Sequence, residues 1–203
     1  AIGIPVADYR LCGNGPSDAG AAAREIGFPV VLKAVAPGLV HKTDVGGVAL
    51  ALENEAEVVA AASRMLARIP AATGFIVQRQ VPCGLEALVG VACDPSLGPL
   101  LVAGIGGVAV EVYKDVAFRV TPVTEQDAAE MLAQLRGKQL LDGFRGSPAV
   151  DRQALLDVIV RIGALADCVP EIAELDLNPV VVLPGTGGAV VVDGRIRMAA
   201  GRS

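Results

Sequence analysis

Apolar and polar positions follow one another along this chain in two rhythms, one of period two and one of period three to four. "VVLKAV", residues 30–35, is a β-branched run bounded by Pro29 and Pro37, and it predicts a buried strand with Lys33 towards its far end. "GGVALAL" predicts a second strand. From Asn54 to Ile69 the apolar residues recur at helical spacing, with acidic side chains early and arginines late, as the helix dipole favours. "GFIVQRQV" and "LEALVGVAC" predict two more strands joined through Pro82, Cys83 and Gly84, either as a hairpin or as strands meeting at a hinge.

Upstream, "GPSDAGAAAREIGFP" predicts a helix with Ser17 as N-cap, stopped by Gly27 and Pro29. Downstream, residues 99–123 predict two or three strands with Glu111, Asp115 and Arg119 emerging near the turns. Thr124 is placed to cap a helix from Glu125 to Leu135, with Asp127 closing a capping box, and a second helix is predicted from Asp151 to Ala166. Residues 136–150 between them read as loop. The chain ends as strand, proline-glycine turn and strand, with Asp176, Asn178 and Asp193 interrupting apolar runs.

Composition sharpens this picture. The apolar fraction is 53% but aromatics are only 3%, so the core has to be filled by Val, Leu, Ile and Ala, the usual filling of sheet-and-helix layers; an α+β fold of α/β layers is expected. At 203 residues the chain suffices for one large domain or two small ones. Its net charge of −5, without a Lys/Arg cluster, argues against a nucleic-acid partner. Cys12, Cys83, Cys93 and Cys168 lack metal-ligand spacing and read as reduced thiols, which points to a cytoplasmic protein. No apolar run is long enough to cross a bilayer, so no membrane partner is expected. The first residue is not Met, and the opening "AIGIPVADYR" reads as a domain taken from a longer protein.

Four polar residues in one short connection, Lys33, His41, Lys42 and Asp44, cannot be explained by hydrophobic burial. Lys33 has two readings: a side chain snorkelling from a sheet edge to water, or a point charge aimed at a phosphate. Gly46 and Gly47 support the second, because glycine lets backbone N–H groups approach an anion closely. His41, the only histidine, is either a loop residue hydrogen-bonded to Asp44 or a nucleophile that accepts a phosphoryl group.

Asp176 and Asn178 share a strand face by alternation, and with Asp193 they offer hard oxygen ligands of the kind Mg²⁺ prefers. The alternative is that the first two end a strand before Pro179 and that Asp193 opens a turn. Glu86, a carboxylate in an apolar strand, either pairs with Arg79 across a hairpin or accepts hydrogen bonds from a ribose or a metal-bound water.

Taken together, "GIPV", "FPVVLKAVAPGLVHKTDVGGV", "VQRQVPCGLEALVGVACDPSLGPLLVAGIGGVAVEVYKDVAFRVTPVT", "LRGKQLLDGFRG", "EIAELDLNPVVVLP" and "VVVDGRIRM" resemble, in this order and over nearly the whole chain, the ATP-grasp domain of nucleoside-diphosphate-forming acyl-CoA synthetases. These are relatives of succinyl-CoA synthetase and ADP-forming acetyl-CoA synthetase. The resemblance implies an ATP-grasp fold with a nucleotide held between two subdomains, residues 1–80 carrying the phosphate-binding loop and 81–203 the Mg²⁺ site. It implies that Lys33 contacts the ATP or ADP phosphates under a loop through Gly46 and Gly47. Gln78 and the Val81 backbone would address adenine, and Glu86 the ribose side. Asn178 and Asp193 match the Mg²⁺ ligands, Asp176 stands where an acid precedes the "NP" pair, and His41 matches a histidine of this branch proposed to carry the phosphoryl group.

The implied reaction interconverts acyl-CoA, ADP and phosphate with acid, CoA and ATP. The complete enzymes also carry a CoA-binding domain and a ligase domain with its own phosphorylated histidine, so those domains or subunits are the expected partners, with oligomerisation a further expectation. This chain alone is expected to bind nucleotide and not to form a thioester. Two other classes compete: another ATP-grasp carboxylate ligase, which would generally lack "HKTDVGG", and a regulatory nucleotide sensor in a multidomain acyltransferase, which would not need His41.

Overall fold

The computed structural model describes residues 2–39, 42–106 and 115–199. The chain forms two compact units, Ala7–Val81 and the segments Ala1–Val6 with Pro82–Ser203. Residues up to Val6 thus go with the larger unit, whereas the sequence put them in the smaller. They are tied there by backbone: Val6 bridges Val191, the Val191 N–H donates to the Pro5 carbonyl (2.9 Å), and Arg161 donates to the Ile2 carbonyl (2.7 Å).

The smaller unit is a four-stranded antiparallel sheet in the order β1 (Tyr9–Gly13), β4 (Gly74–Arg79), β2 (Val30–Val35), β3 (Val48–Leu52). Helices α1 (Pro16–Ile26) and α2 (Glu55–Arg68) complete it. Ala19, Ala23, Val58, Ala62 and Met65 of the helices bury against Val30, Leu32, Ala34, Phe75 and Val77 of the sheet. The small helical residues let the helices approach closely, which is why alanine can fill a core here.

Asn54, where the helical pattern begins, caps α2 by accepting from the Glu57 N–H. At α1 the expectation fails. Gly15 rather than Ser17 is the N-cap and no side chain caps the helix, because Pro16 takes the first turn with its φ already helical.

The larger unit holds a six-stranded antiparallel sheet: β10 (Gly194–Met198), β8 (Ile172–Val182), β5 (Leu85–Asp94), β6 (Gly98–Ile105) and β7 (Val116–Val120), with β9 (Ala189–Val191) pairing β8 off this path. The C-terminal stretch is therefore three strands, not two. Helices α3 (Glu125–Gln134) and α4 (Arg152–Cys168) cover one face and bury Met131, Leu132, Leu155, Ile159 and Ile162 against Val89, Val91, Leu101 and Leu175.

The capping box of Thr124 and Asp127 is present, and Asp151 caps α4. A 3₁₀-helix, Arg136–Leu140, opens the segment read as loop, its first N–H groups held by the Asp115 carboxylate. Arg119 is the last residue but one of β7, beside the bend at 121–122, and pairs with Glu130. Glu111 lies outside the described residues.

Strands β4 and β5 belong to different sheets, so the short link between them is not a hairpin. The four cysteines are free thiols. Among the described residues no helix is long and apolar enough to cross a membrane.

Candidate functional site

In the smaller unit, alternation along β2 sends Val30, Leu32 and Ala34 into the core beneath the helices, and Val31 and Lys33 to the other face. Along β4, Phe75 and Val77 are core, so Ile76 and Gln78 share the face of Lys33. The register sets Lys33 opposite Ile76 and Gln78 opposite Val31, so the two polar side chains are diagonal neighbours on adjacent strands.

Lys33 is 6% exposed and Gln78 3%, the two buried polar residues among those described. Lys33 stands two residues inside the strand end, between β3 and β4, paired with Val48 and Ile76. A lysine at the middle of a four-stranded sheet has no route to snorkel along an edge, so of the two sequence readings the snorkelling one loses its geometry.

The loop before β3 is a tight turn rather than an open strap. The Gly46 N–H donates to the Thr43 carbonyl (3.0 Å) and the Gly47 N–H to the Lys42 carbonyl (2.7 Å). Both donors are thus engaged inside the turn, and Gly46, at φ 72°, is there for its conformation. The Gly47 carbonyl accepts from the Ala34 N–H (2.8 Å), which ties the turn to β2 next to Lys33. His41 lies outside the described residues. Val81 ends the smaller unit, just past Gln80, whose N–H donates to the Pro29 carbonyl (3.1 Å).

In the larger unit the face away from the helices collects the remaining candidates. Ala87, Val89 and Val91 are core, so Glu86 points to the opposite face and is exposed. Arg79, its suggested partner, instead pairs with Asp8 in the other unit. On β8, Leu175 and Leu177 pack on the core side, which turns Asp176 and Asn178 outward together.

The pairing then slips: Ala87 faces Val180 while Val89 faces Leu177, so three steps on β8 oppose two on β5. The extra residue falls at Asn178–Pro179, a β-bulge that returns Val180 and Val182 to the core and leaves Asn178 aimed away from it. The Asn178 N–H donates to the Asp193 carbonyl (3.1 Å) and the Val192 N–H to the Pro179 carbonyl (3.0 Å), so Asp193, in the connection just before β10, lies beside Asn178 rather than on a strand. One Asp193 carboxylate oxygen accepts from the Gly194 N–H (3.2 Å).

Two neighbours escape a reading of the sequence. Asp176 stands between Gly90 on one side and Arg195 on the other. A Cβ at Gly90 would lie 2.6 Å from the Leu175 carbonyl oxygen, so only glycine lets β5 lie this close to β8. The signal for it was a lone glycine inside an apolar strand, and for Arg195 the Arg-x-Arg alternation of "GRIRM". Beyond it Arg197 pairs with Glu174 at 3.0 Å.

The oxygens of Asn178 and Asp193 suit a hard cation such as Mg²⁺, which keeps several waters and takes substrate phosphates rather than an all-protein cage. Among the described residues no group of three or more His, Cys, Asp and Glu side chains is poised to hold a metal.

A family model described as an ATP-grasp domain matches residues 1–198. The chain belongs to the ATP-grasp family. This ATP-grasp chain is 40% identical over 200 residues to the beta subunit of acetate–CoA ligase [ADP-forming] I of Pyrococcus furiosus, covering 96% of the chain and 85% of that subunit. It is 43% identical to acetate–CoA ligase [ADP-forming] I of Archaeoglobus fulgidus, over 97% of the chain but only 29% of that longer protein.

A solved structure of Ca. Korarchaeum cryptofilum dinucleotide-forming acetyl-coenzyme A synthetase 1 matches with a TM-score of 0.84 and 45% identity, over 97% of this chain and 86% of that one. It is described as a complex with coenzyme A and Mg-AMPPCP, with a phosphohistidine segment pointing towards the nucleotide-binding site. The ATP-grasp fold is thus established, and the relatives are ligases of which this chain corresponds to the ATP-grasp part.

Proposed function

We propose that this chain binds ATP or ADP with Mg²⁺ and transfers phosphoryl groups as the ATP-grasp part of an ADP-forming acyl-CoA synthetase. The carrying observation is Lys33. A lysine 6% exposed in the middle of a sheet, on the face its helices do not cover, is a positive charge held in place, of the kind that contacts a phosphate.

The residue roles in this reading are those the family resemblance implies. The Lys33 ammonium binds the nucleotide phosphates. Gln78 and the Val81 backbone address adenine, and Glu86, exposed on β5, accepts from the ribose hydroxyls. Gly46 and Gly47 shape the turn that carries Lys42 and Asp44, while its tie to Ala34 holds it beside Lys33. Asn178 and Asp193 would hold Mg²⁺ and Asp176 would orient its water; the cation, when bound, neutralises phosphate charge.

His41 supplies the nucleophile in this reading. Its neutral imidazole nitrogen attacks the γ-phosphorus of ATP, a P–N bond forms, the bond to the β-phosphate oxygen breaks, and ADP leaves. The reverse regenerates ATP. Holding the acceptor in the chain that holds the nucleotide makes the step intramolecular.

The remaining chemistry, from acyl-CoA and phosphate, falls to CoA-binding and ligase domains or subunits, as the coenzyme A in the Korarchaeum complex suggests. We place the protein in the cytoplasm, in keeping with its free thiols, and in an oligomer formed with those partners.

Calorimetric titration of the chain with ATP and Mg²⁺ tests this. Binding is expected, weakened about tenfold or more by Lys33→Met, as loss of a charge-assisted phosphate contact implies. Incubation with γ-labelled ATP should give acid-labile, base-stable label on the wild type and none on His41→Ala. Label that survives the substitution removes His41 from the mechanism, and absence of ATP binding by the wild type overturns the reading.

A further inference from the structure

A second cationic feature lies on the smaller unit, on helix α2. Arg64, Met65 and Arg68 of α2 line a cavity of about 200 Å³ with Ala61, with Val48 and Ala49 of β3, and with Gly46 of the turn before it. Lys33 and Gln78 belong to the opposite face of this sheet, and neither lines the cavity.

Among the described residues seven arginines pair with carboxylates: Arg10 with Glu25, Arg24 with Glu55, Arg79 with Asp8, Arg119 with Glu130, Arg152 with Asp142, Arg161 with Asp157 and Arg197 with Glu174. Arg64 and Arg68 pair with no carboxylate among the described residues. They stand four residues apart on one helix face, where like charges repel. The C-terminal end of α2 keeps such cations in place but does not separate them.

The turn is shaped around one of them. A Cβ at Gly46 would lie 2.8 Å from an Arg68 guanidinium nitrogen, so glycine at 46 is what admits the guanidinium against the loop. Cationic walls, an apolar floor of Ala61, Met65 and Val48, and a volume that admits a tetrahedral oxyanion with a few waters but not a base and ribose make a coherent receptor.

We propose that Arg64 and Arg68 form an anion site for a phosphate group, separate from the nucleotide-binding face and in contact with the Gly46 turn. A bound oxyanion accepts from both guanidinium groups, removes their mutual repulsion and braces the turn against α2. The inference rests on the pocket and its two arginines and stands whether or not the chain binds ATP.

Titration of the full chain with inorganic phosphate, without nucleotide, tests it, with glycerol 3-phosphate in a parallel arm to separate a free anion from a phosphate carried on a larger molecule. Saturable one-site binding of either probe is expected. The exposed pair Arg64→Gln/Arg68→Gln should weaken it about tenfold or more, as loss of two charge-assisted contacts implies. Arg10→Gln/Arg24→Gln, which removes the same charge from carboxylate-paired arginines of the same unit, should leave the affinity unchanged, and circular dichroism should show both variants folded. Binding that survives Arg64→Gln/Arg68→Gln, equal weakening by the control pair, or no saturable binding of either probe overturns the proposal.

Discussion

At the residue scale, the best-defined electrostatic feature is Asp127. Its carboxyl is held below the usual carboxylate range first by the Thr124 hydroxyl and then by the Thr124 N–H, with burial opposing and Arg119 assisting. A carboxyl whose folded pKa is depressed contributes stability above its unfolded value, here 3.8, and loses it as pH falls through the lower folded one. Chemical denaturation from about pH 5 to about pH 2 should therefore show a steeper loss for the wild type than for Asp127→Asn, whose amide does not titrate. Equal slopes would mean the pair contributes nothing in the acid limb. Cys12 shows the opposite sign: burial raises its thiol, a backbone hydrogen bond with Phe75 lowers it and Asp18 raises it again, consistent with an inert packing residue.

Lys33 belongs to the same scale. Its identity was visible in "VVLKAV", but the two readings of it differed only in what lay on either side of the strand. The register decided that, by setting β3 and β4 on its flanks. Gly46 and Gly47 went the other way: the sequence suggested amide donors open to an anion, and the turn uses both donors internally.

At the element scale, helices with side-chain caps were legible because a cap is a local hydrogen bond between residues three apart. Thr124 with Asp127 caps α3 where the pattern put it, and Asn54 and Asp151, read from the sequence only as the first residues of helical stretches, cap α2 and α4. Asn54→Ala is expected to destabilise the chain by about 1 kcal/mol, since it leaves the Glu57 N–H without its acceptor. Urea denaturation checks this, and an unchanged midpoint would show that water replaces the cap without loss. Strand partners were not legible in the same way. Whether "GFIVQRQV" and "LEALVGVAC" form a hairpin depends on what pairs with each, and each found other neighbours: β1 and β2 for the first, β6 and β8 for the second.

At the scale of the whole molecule, ligand binding should appear as stability. If Mg²⁺ and ATP bind only the folded chain, ATP at about a hundred times its Kd stabilises by about 2.7 kcal/mol. A melting scan should show the midpoint rising with Mg-ATP. Chelation of Mg²⁺ by EDTA, or the pair Asn178→Ala/Asp193→Ala, should abolish most of that rise. A shift that survives both would remove these two residues from the metal's coordination.

The sequence by itself determined the layered α+β class, the capped start of α3 and, through its ordered motif blocks, the family. Each of these depends on residue type and on spacing within a few positions, which local chemistry and hydrophobic periodicity dictate. Tertiary structure alone decided which face Lys33 and Gln78 share, the β-bulge that aims Asn178, the backbone pairing that brings Asp193 beside it, and the unpaired arginines around the Gly46 turn. Those facts depend on contacts between residues far apart in the chain, made only when strands choose partners and register, and no local pattern encodes that choice.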